Sequence, residues 1–280
     1  MRVAPLHFRI KIPPLLPTAE QGDMCPSEHV KFLRKSQMAS VKEHYDVLLS
    51  EVYTWLLGGF LEAKNRNSQF FKSKNITPSQ SGIAIDLGAG SGFQSIPLAE
   101  IGFSVTAIDL SEALLQELNN EASDLKIKTI QDDIINFDDH LDNNVELIIC
   151  MTDTITHLES KEKVVSLFNK SFKSLEKGGK FILTFRDLTH ELNDLDRFLP
   201  VKSDESTIFT CFLEYEPETV KVHDIVYRKI KNEWVLQKSF YRKVKLSKTW
   251  VDKQLTNIGF SLEESSMKNG LITIIAIKNT

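Results

Sequence analysis

The chain has 280 residues, 41% of them apolar and 26% charged, with a net charge of −4. That length and apolar share suffice for one large core with an insertion, or for two smaller ones. The mixed, slightly acidic charge argues against the broad basic face of a nucleic-acid binder, and no apolar run approaches the ~20 residues of a membrane span.

The three cysteines, Cys25, Cys150 and Cys211, are far apart and odd in number. They form neither a metal cluster nor a disulfide framework, so no metal is expected and a reducing, cytoplasmic compartment is. Met1 to Thr18 carries Arg2, Arg9 and Lys11 with no acid before Glu20, a faint likeness to an organellar transit segment. Pro13, Pro14 and Pro17 interrupt any long amphipathic helix there, and residues 1–39 are read as a flexible extension.

Ser40 with Glu43 three residues on forms a capping box, the start of the first helix. Tyr45, Leu48, Leu49, Val52 and Leu56 recur at helical spacing, and Gly58-Gly59 stops the helix. A second helix follows over about 60–71. Together 40–81 read as a helical lid.

From Gly82 the rhythm becomes strand and helix in alternation. Strands are expected at 83–87, 104–108, 127–131, 145–151 and 180–185, with helices at 94–101, 111–121 and 160–177 between them. The run 145–151 is apolar throughout, as a strand buried on both faces requires. This alternation predicts an α/β fold, a doubly wound, mostly parallel sheet with helices on both faces, over 82–186. Three antiparallel strands follow at 207–215, 219–227 and 234–246, within an insertion spanning 187–246 that suits a substrate cover or a homodimer surface. Ser247 caps a last helix that Gly259 closes, and 271–277 is the last strand of a segment, 247–280, that completes the sheet.

The informative stretch is Ile83-Ala84-Ile85-Asp86-Leu87-Gly88-Ala89-Gly90-Ser91-Gly92. A strand ends in an acid and is followed by glycines at every second position, which let backbone approach a ligand where a Cβ would clash. Asp109 stands about 20 residues on, the spacing of a ribose reader. A dinucleotide site wants a third glycine where this chain has Phe93, so the pattern points to an adenosine-containing cofactor other than NAD.

These residues resemble the class I S-adenosylmethionine-dependent methyltransferases. The resemblance covers about 82–278. Asp86-Leu-Gly-Ala-Gly-Ser-Gly matches the family's first motif. Asp109 stands at the acidic end of strand two, Asp132-Asp133-Ile134 at the end of strand three, and Cys150-Met151-Thr152-Asp153 at the end of strand four. Lys177-Gly178-Gly179-Lys180 matches the turn before strand five.

The resemblance implies a seven-stranded Rossmann-like methyltransferase fold and S-adenosyl-L-methionine as cofactor. It implies that the loop of Gly88, Ala89, Gly90 and Gly92 approaches the methionine part and that Asp86 holds its ammonium group. Asp109 takes the ribose hydroxyls with Leu110 beside it, Asp133 takes the adenine amine with Ile134 against the ring, and Met151 lies where cofactor and substrate meet. Tyr45, on the lid, can face the sulfonium.

Met151 to Leu158 is similar to the corresponding segment of glycine N-methyltransferase-like enzymes, with Asp153 in place of their Asn. Asp153 is the candidate to attract a cationic amine or act as base, His157 a second candidate base. Tyr53 and Trp55 on the lid, and Arg186 as a carboxylate clamp, are the candidate substrate contacts. The function implied is methyl transfer to nitrogen or oxygen of a small molecule. The alternatives are a non-catalytic cofactor-binding scaffold and a nicotinamide-dependent oxidoreductase.

Overall fold

The computed structural model describes residues 40–279. The extension 1–39, with its transit-like composition, lies outside the described residues.

Ser40 opens the chain as a reciprocal capping box. Its hydroxyl accepts from Glu43 N at 3.2 Å, and the Glu43 carboxylate accepts from Ser40 N at 2.9 Å. Helix α1 (Val41–His44) widens into a π turn at Tyr45–Leu49 and resumes as α2 (Ser50–Leu56). A π turn inside an α-helix is rare and frequent at functional sites. Gly58 and Gly59, at φ +94 and +97, redirect the chain into α3 (Phe60–Ser73).

The central sheet has seven strands. They are β1 (Ile83–Leu87), β2 (Ser104–Asp109), β3 (Ile127–Gln131), β4 (Val145–Cys150) and β5 (Leu175–Arg186), with the late strands β10 (Phe260–Lys268) and β11 (Leu271–Lys278). The order is β10-β11-β5-β4-β1-β2-β3. Pairing is parallel from β5 through β3, and β11 runs antiparallel to both its neighbours. Strand β1 therefore has β2 on one side and β4 on the other, the reversal of order at which doubly wound sheets open a crevice beyond their carboxyl ends.

Helices α4 (Ser95–Glu100), α5 (Glu112–Ala122) and α6 (Lys161–Ser174) connect the parallel strands, and α7 (Lys248–Ile258) precedes β10. Strand β4 is buried at every position. One core layer joins Ile148 and Phe181 to Phe168 of α6 and Leu255 of α7. The opposite layer joins Leu147 and Ile149 to Phe71 of α3 and Leu98 of α4. The chain between β5 and α7 forms a second, antiparallel sheet, β6 (Phe198–Ser203), β7 (Thr207–Tyr215), β8 (Thr219–Ile230) and β9 (Glu233–Val244), in sequential order. Its Phe209 and Val226 pack on Leu48, Leu49 and Val52, so this sheet buttresses the lid helix.

Three details differ from the sequence reading. Strand β5 begins at Leu175, which pairs with Val145, so Gly178-Gly179 lies within the strand beside a register shift instead of separating helix from strand. Strand β10 has no counterpart among the predicted elements, because FSLEESSMK is mostly polar and is held as a sheet edge by β11 alone. Strand β6 was also unpredicted. It contains Pro200, which only an edge strand accommodates.

Phe168 is fully buried between the sheet and α6. Phe168→Ala should cost about 3–5 kcal/mol of folding stability, read as a lower midpoint in urea denaturation with an unchanged slope.

Candidate cofactor cleft

The turn after β1 is built on left-handed glycines, Gly88, Gly90 and Gly92, at φ +78, +52 and +85. Gly88 N and Ala89 N donate to Ile108 O at 2.8 and 3.1 Å, tying the turn to β2. Each glycine answers a different neighbour. A Cβ on Gly88 would overlap the Thr154 side chain, one on Gly92 would stand 2.6 Å from Leu118 Cγ, and one on Gly90 would stand 3.1 Å from the Tyr53 ring. Asp109 ends β2 and holds the turn: Oδ2 accepts from Gly90 N and Oδ1 from Ser111 N, each at 2.8 Å. Ser111, and not Asp109, caps α5, its hydroxyl accepting from Leu114 N.

A cleft of about 940 Å3, including space open to solvent, lies over this turn at the carboxyl ends of β1 to β4. Gly88, Gly90, Asp109, Leu110, Asp133 and Ile134 line it, and Tyr45 and Tyr53 of the lid face it. Asp133 and Asp132 separate cleanly. Asp133 lines the cleft and caps the short helix after β3, whereas Asp132 accepts from Asn136 and His140.

Four of the expected cofactor residues are not among the cleft's lining. Ala89 and Gly92 pack against α5 and its neighbourhood, and Met151 belongs to the core layer under α4. Asp86 is buried and accepts from Ser95 Oγ at 2.6 Å. Burial, with a lesser contribution from the Asp109 charge, pushes the Asp86 carboxyl up to about 7, against the lowering effect of Ser95. Burial also raises Asp109, opposed by its backbone donors. The lining also includes Thr152 and Thr154, which the sequence reading passed over. Thr152 at φ +58 and Asp153 at φ +69 form a strained turn after β4, a signal that exists only in three dimensions.

Asp153 is not among the cleft's lining residues. It is 4% exposed, and its carboxylate accepts from Arg186 N at 2.6 Å and from the Arg186 guanidinium, with Lys243 Nζ at 3.3 Å. Burial alone would raise this carboxyl, but Lys243 and Arg186 hold it far below the usual carboxylate range. A carboxylate so compensated is a poor base. Arg186 correspondingly pairs with Asp153 and is not among the cleft's lining residues.

His157 lines the cleft, but burial, aided by the Lys243 charge, brings its imidazole down to about 3. It is neutral at physiological pH and stacked on Tyr241 at 5.1 Å. Trp55 is turned away from the cleft. Its Nε1 donates to Asp204 at 2.6 Å, and its ring packs with the lid's contacts to the second sheet under Lys202.

The arrangement fits an adenosine-type cofactor with a charged amino-acid tail. Backbone approaches at Gly88 and Gly90, a carboxylate stands at the end of β2, and a second stands at the end of β3. Residues 84–179 match the family profile described as a methyltransferase domain. Residues 84–179 form a methyltransferase domain.

The domain is 35% identical over 104 residues to YqeM of Bacillus subtilis, a protein with a methyltransferase name. It is 30% identical over 105 residues to the glycine/sarcosine N-methyltransferase of Aphanothece halophytica. These matches take in 36% and 37% of this chain and 40% of each relative, so the chain spans well under half the length of these curated relatives. The CcbJ methyltransferase of Streptomyces caelestis shares the fold, with a TM-score of 0.70 at 15% identity over 85% of this chain and 99% of that one. Among the described residues no helix is long and apolar enough to cross a membrane, and no cluster of ligating side chains could hold a metal.

Asp86 gives this domain a testable pH signature. The folded state keeps the Asp86 proton up to about pH 7, whereas the unfolded chain releases it near 3.8. The folded state thus binds more protons in that window, so stability falls as pH rises through it and levels off above. Asp86→Asn removes this dependence. The variant's urea midpoint should gain on wild type between about pH 4 and 7 and then run parallel. Parallel profiles throughout would mean that Asp86 is ionised in the fold.

Proposed function

We propose that the protein transfers a methyl group from S-adenosylmethionine to a nitrogen or oxygen of a small molecule. The observation that carries this reading is the convergence, in one cleft, of the Gly88–Gly90 turn, Asp109 and Asp133–Ile134 under a roof of Tyr45 and Tyr53. Similarity to an enzyme named for methylating glycine and sarcosine supports a small acceptor.

Asp109 and Leu110 would hold the ribose, Asp133 and Ile134 the adenine, and the glycine turn with Asp86 beneath it the amino-acid tail. When bound, the cofactor supplies an electrophilic methyl group on a sulfonium, open to in-line displacement by the acceptor's lone pair. The chain's own part is alignment and exclusion of water. Tyr45 and Tyr53 present aromatic rings to a cationic centre, and burial holds both hydroxyls protonated.

Among the described residues neither candidate base is poised to take a proton, as follows from the charges already described. Asp153 is taken up by Arg186 and Lys243, and the His157 imidazole is too weak a proton acceptor. The acceptor therefore arrives with a free lone pair, as a neutral amine or an ionised oxygen, or its proton leaves to solvent. His157, neutral beside Tyr45 and Tyr241, orients the acceptor. Asp153 positions Arg186 and the end of β5.

Titration with S-adenosylmethionine and with NAD, followed by a screen of amines, carboxylates and phenols with methyl-labelled cofactor, tests this reading. Tight binding of NAD alone would overturn it, and cofactor binding without transfer to any acceptor or to cell extract would favour a scaffold. Asp109→Asn should weaken cofactor binding by about 1.5–3 kcal/mol, read by calorimetry, since a charge-assisted acceptor is lost. His157→Gln should leave the pH profile of turnover without a lost limb near neutrality. Disappearance of such a limb would restore His157 as a base.

A further inference from the structure

A polar contact outside the cleft's lining joins the lid to the glycine turn. Thr54 follows Tyr53 on α2, and its hydroxyl donates to Glu117 Oε1 at 2.6 Å. Ser91, within the turn, donates to Glu117 Oε2 at 2.7 Å. The two hydroxyl oxygens are 3.4 Å apart. One half-buried carboxylate on α5 therefore binds the lid with one oxygen and the cofactor turn with the other. Hydrogen bonds to an ionised acceptor are the strong ones, and Ser91 is fully buried, so water does not readily replace its donor.

The neighbouring residues turn this contact into a coupling. Gly90, one residue before Ser91, is held from the strand side by Asp109, and Glu117 holds Ser91 from the lid side. Tyr53, one residue before Thr54, packs its ring on Gly90 and stacks on Phe93 at 5.8 Å. If the turn moves to admit a ligand, Ser91, Glu117 and Thr54 transmit the movement to the roof. If the roof lifts, Glu117 loses its bond to Thr54 and is held in place by Ser91 alone.

We propose that Glu117 is a positioning residue that latches the lid to the cofactor turn, so that closure of the lid and retention of the cofactor are one event. This rests on the reading of the cleft as the S-adenosylmethionine site.

Two measurements on the same variants test the latch. Thr54→Val removes the lid hydroxyl with little change of shape, Ser91→Ala removes the turn hydroxyl, and Glu117→Ala removes the acceptor of both. In cofactor-free protein, hydrogen exchange of amides in 50–57 should quicken about tenfold in Thr54→Val and Glu117→Ala, the size of one bond to a charged group. Dissociation of S-adenosylhomocysteine should quicken about tenfold in all three variants, and Thr54→Val should add little in the Glu117→Ala background. Glu117→Gln, which keeps an oxygen acceptor, should recover part of the loss. Unchanged exchange in the lid overturns the latch. Faster exchange with unchanged dissociation overturns the coupling and leaves a structural tie. Wild-type protein that binds no S-adenosylhomocysteine would remove the reading of the cleft, and the exchange measurement would still decide whether the tie exists.

Discussion

The turn that follows β1 reverses the chain through left-handed backbone at alternate residues, and everything around the cleft is arranged against it. Thr154 occupies the space that a Cβ on Gly88 would need, Leu118 the space at Gly92, and Tyr53 the space at Gly90. Side chains from the loop after β4, from α5 and from the lid thus converge on one backbone segment. Any residue larger than glycine would displace an element that also builds the cleft. Asp109 completes the arrangement by accepting from Gly90 N, so the acid at the end of β2 supports the turn before it meets any ligand.

Charge sets the second layer of organisation. The cleft region holds Asp86, Asp109 and Asp153, yet their environments push them apart. Burial raises Asp86 and Asp109, and a cationic partner would draw both toward ionisation. Asp153 is already spent on Arg186 and Lys243. A cofactor carrying a sulfonium and an ammonium meets acids that can respond to it. Elsewhere the cleft is lined by Tyr45 and a neutral His157, with Tyr241 stacked on the His157 ring. That division suits a reaction in which placement matters more than proton transfer.

The second sheet gives the lid its fixed position. His44 is fully buried on the first turn of the lid and donates to Asp224 of β8 at 2.9 Å, and Cys211 of β7 donates to the other oxygen of that carboxylate at 2.8 Å. The His44 ring packs on Tyr241 of β9 at 4.4 Å, which in turn stacks on His157. A burial of this kind is stable only because every oxygen of Asp224 has a donor. It also explains why the insertion after β5 is closely tied to the site: strand β9 supplies Tyr241 and Lys243 at alternate positions on one face.

The sequence by itself determined the α/β order, the glycine turn and the acids at the ends of β2 and β3. Those features are local. Gly88, Gly90 and Gly92 declare a backbone conformation within five residues, and Asp109 and Asp133 follow apolar strands whose period is visible in the chain. What only the tertiary structure decided depends on partners distant in sequence. Asp153 reads as a candidate base until Arg186, 33 residues on, and Lys243 on the second sheet cancel its charge. Trp55 shares the lid with Tyr53 but is turned to Asp204 by the packing of that sheet. Glu117 looks like one more exposed helix acid, and only folding brings it between Thr54 and Ser91. Spacing along the chain reports backbone geometry and burial. The sign and availability of a charge are set by whatever the fold places within a few ångströms of it.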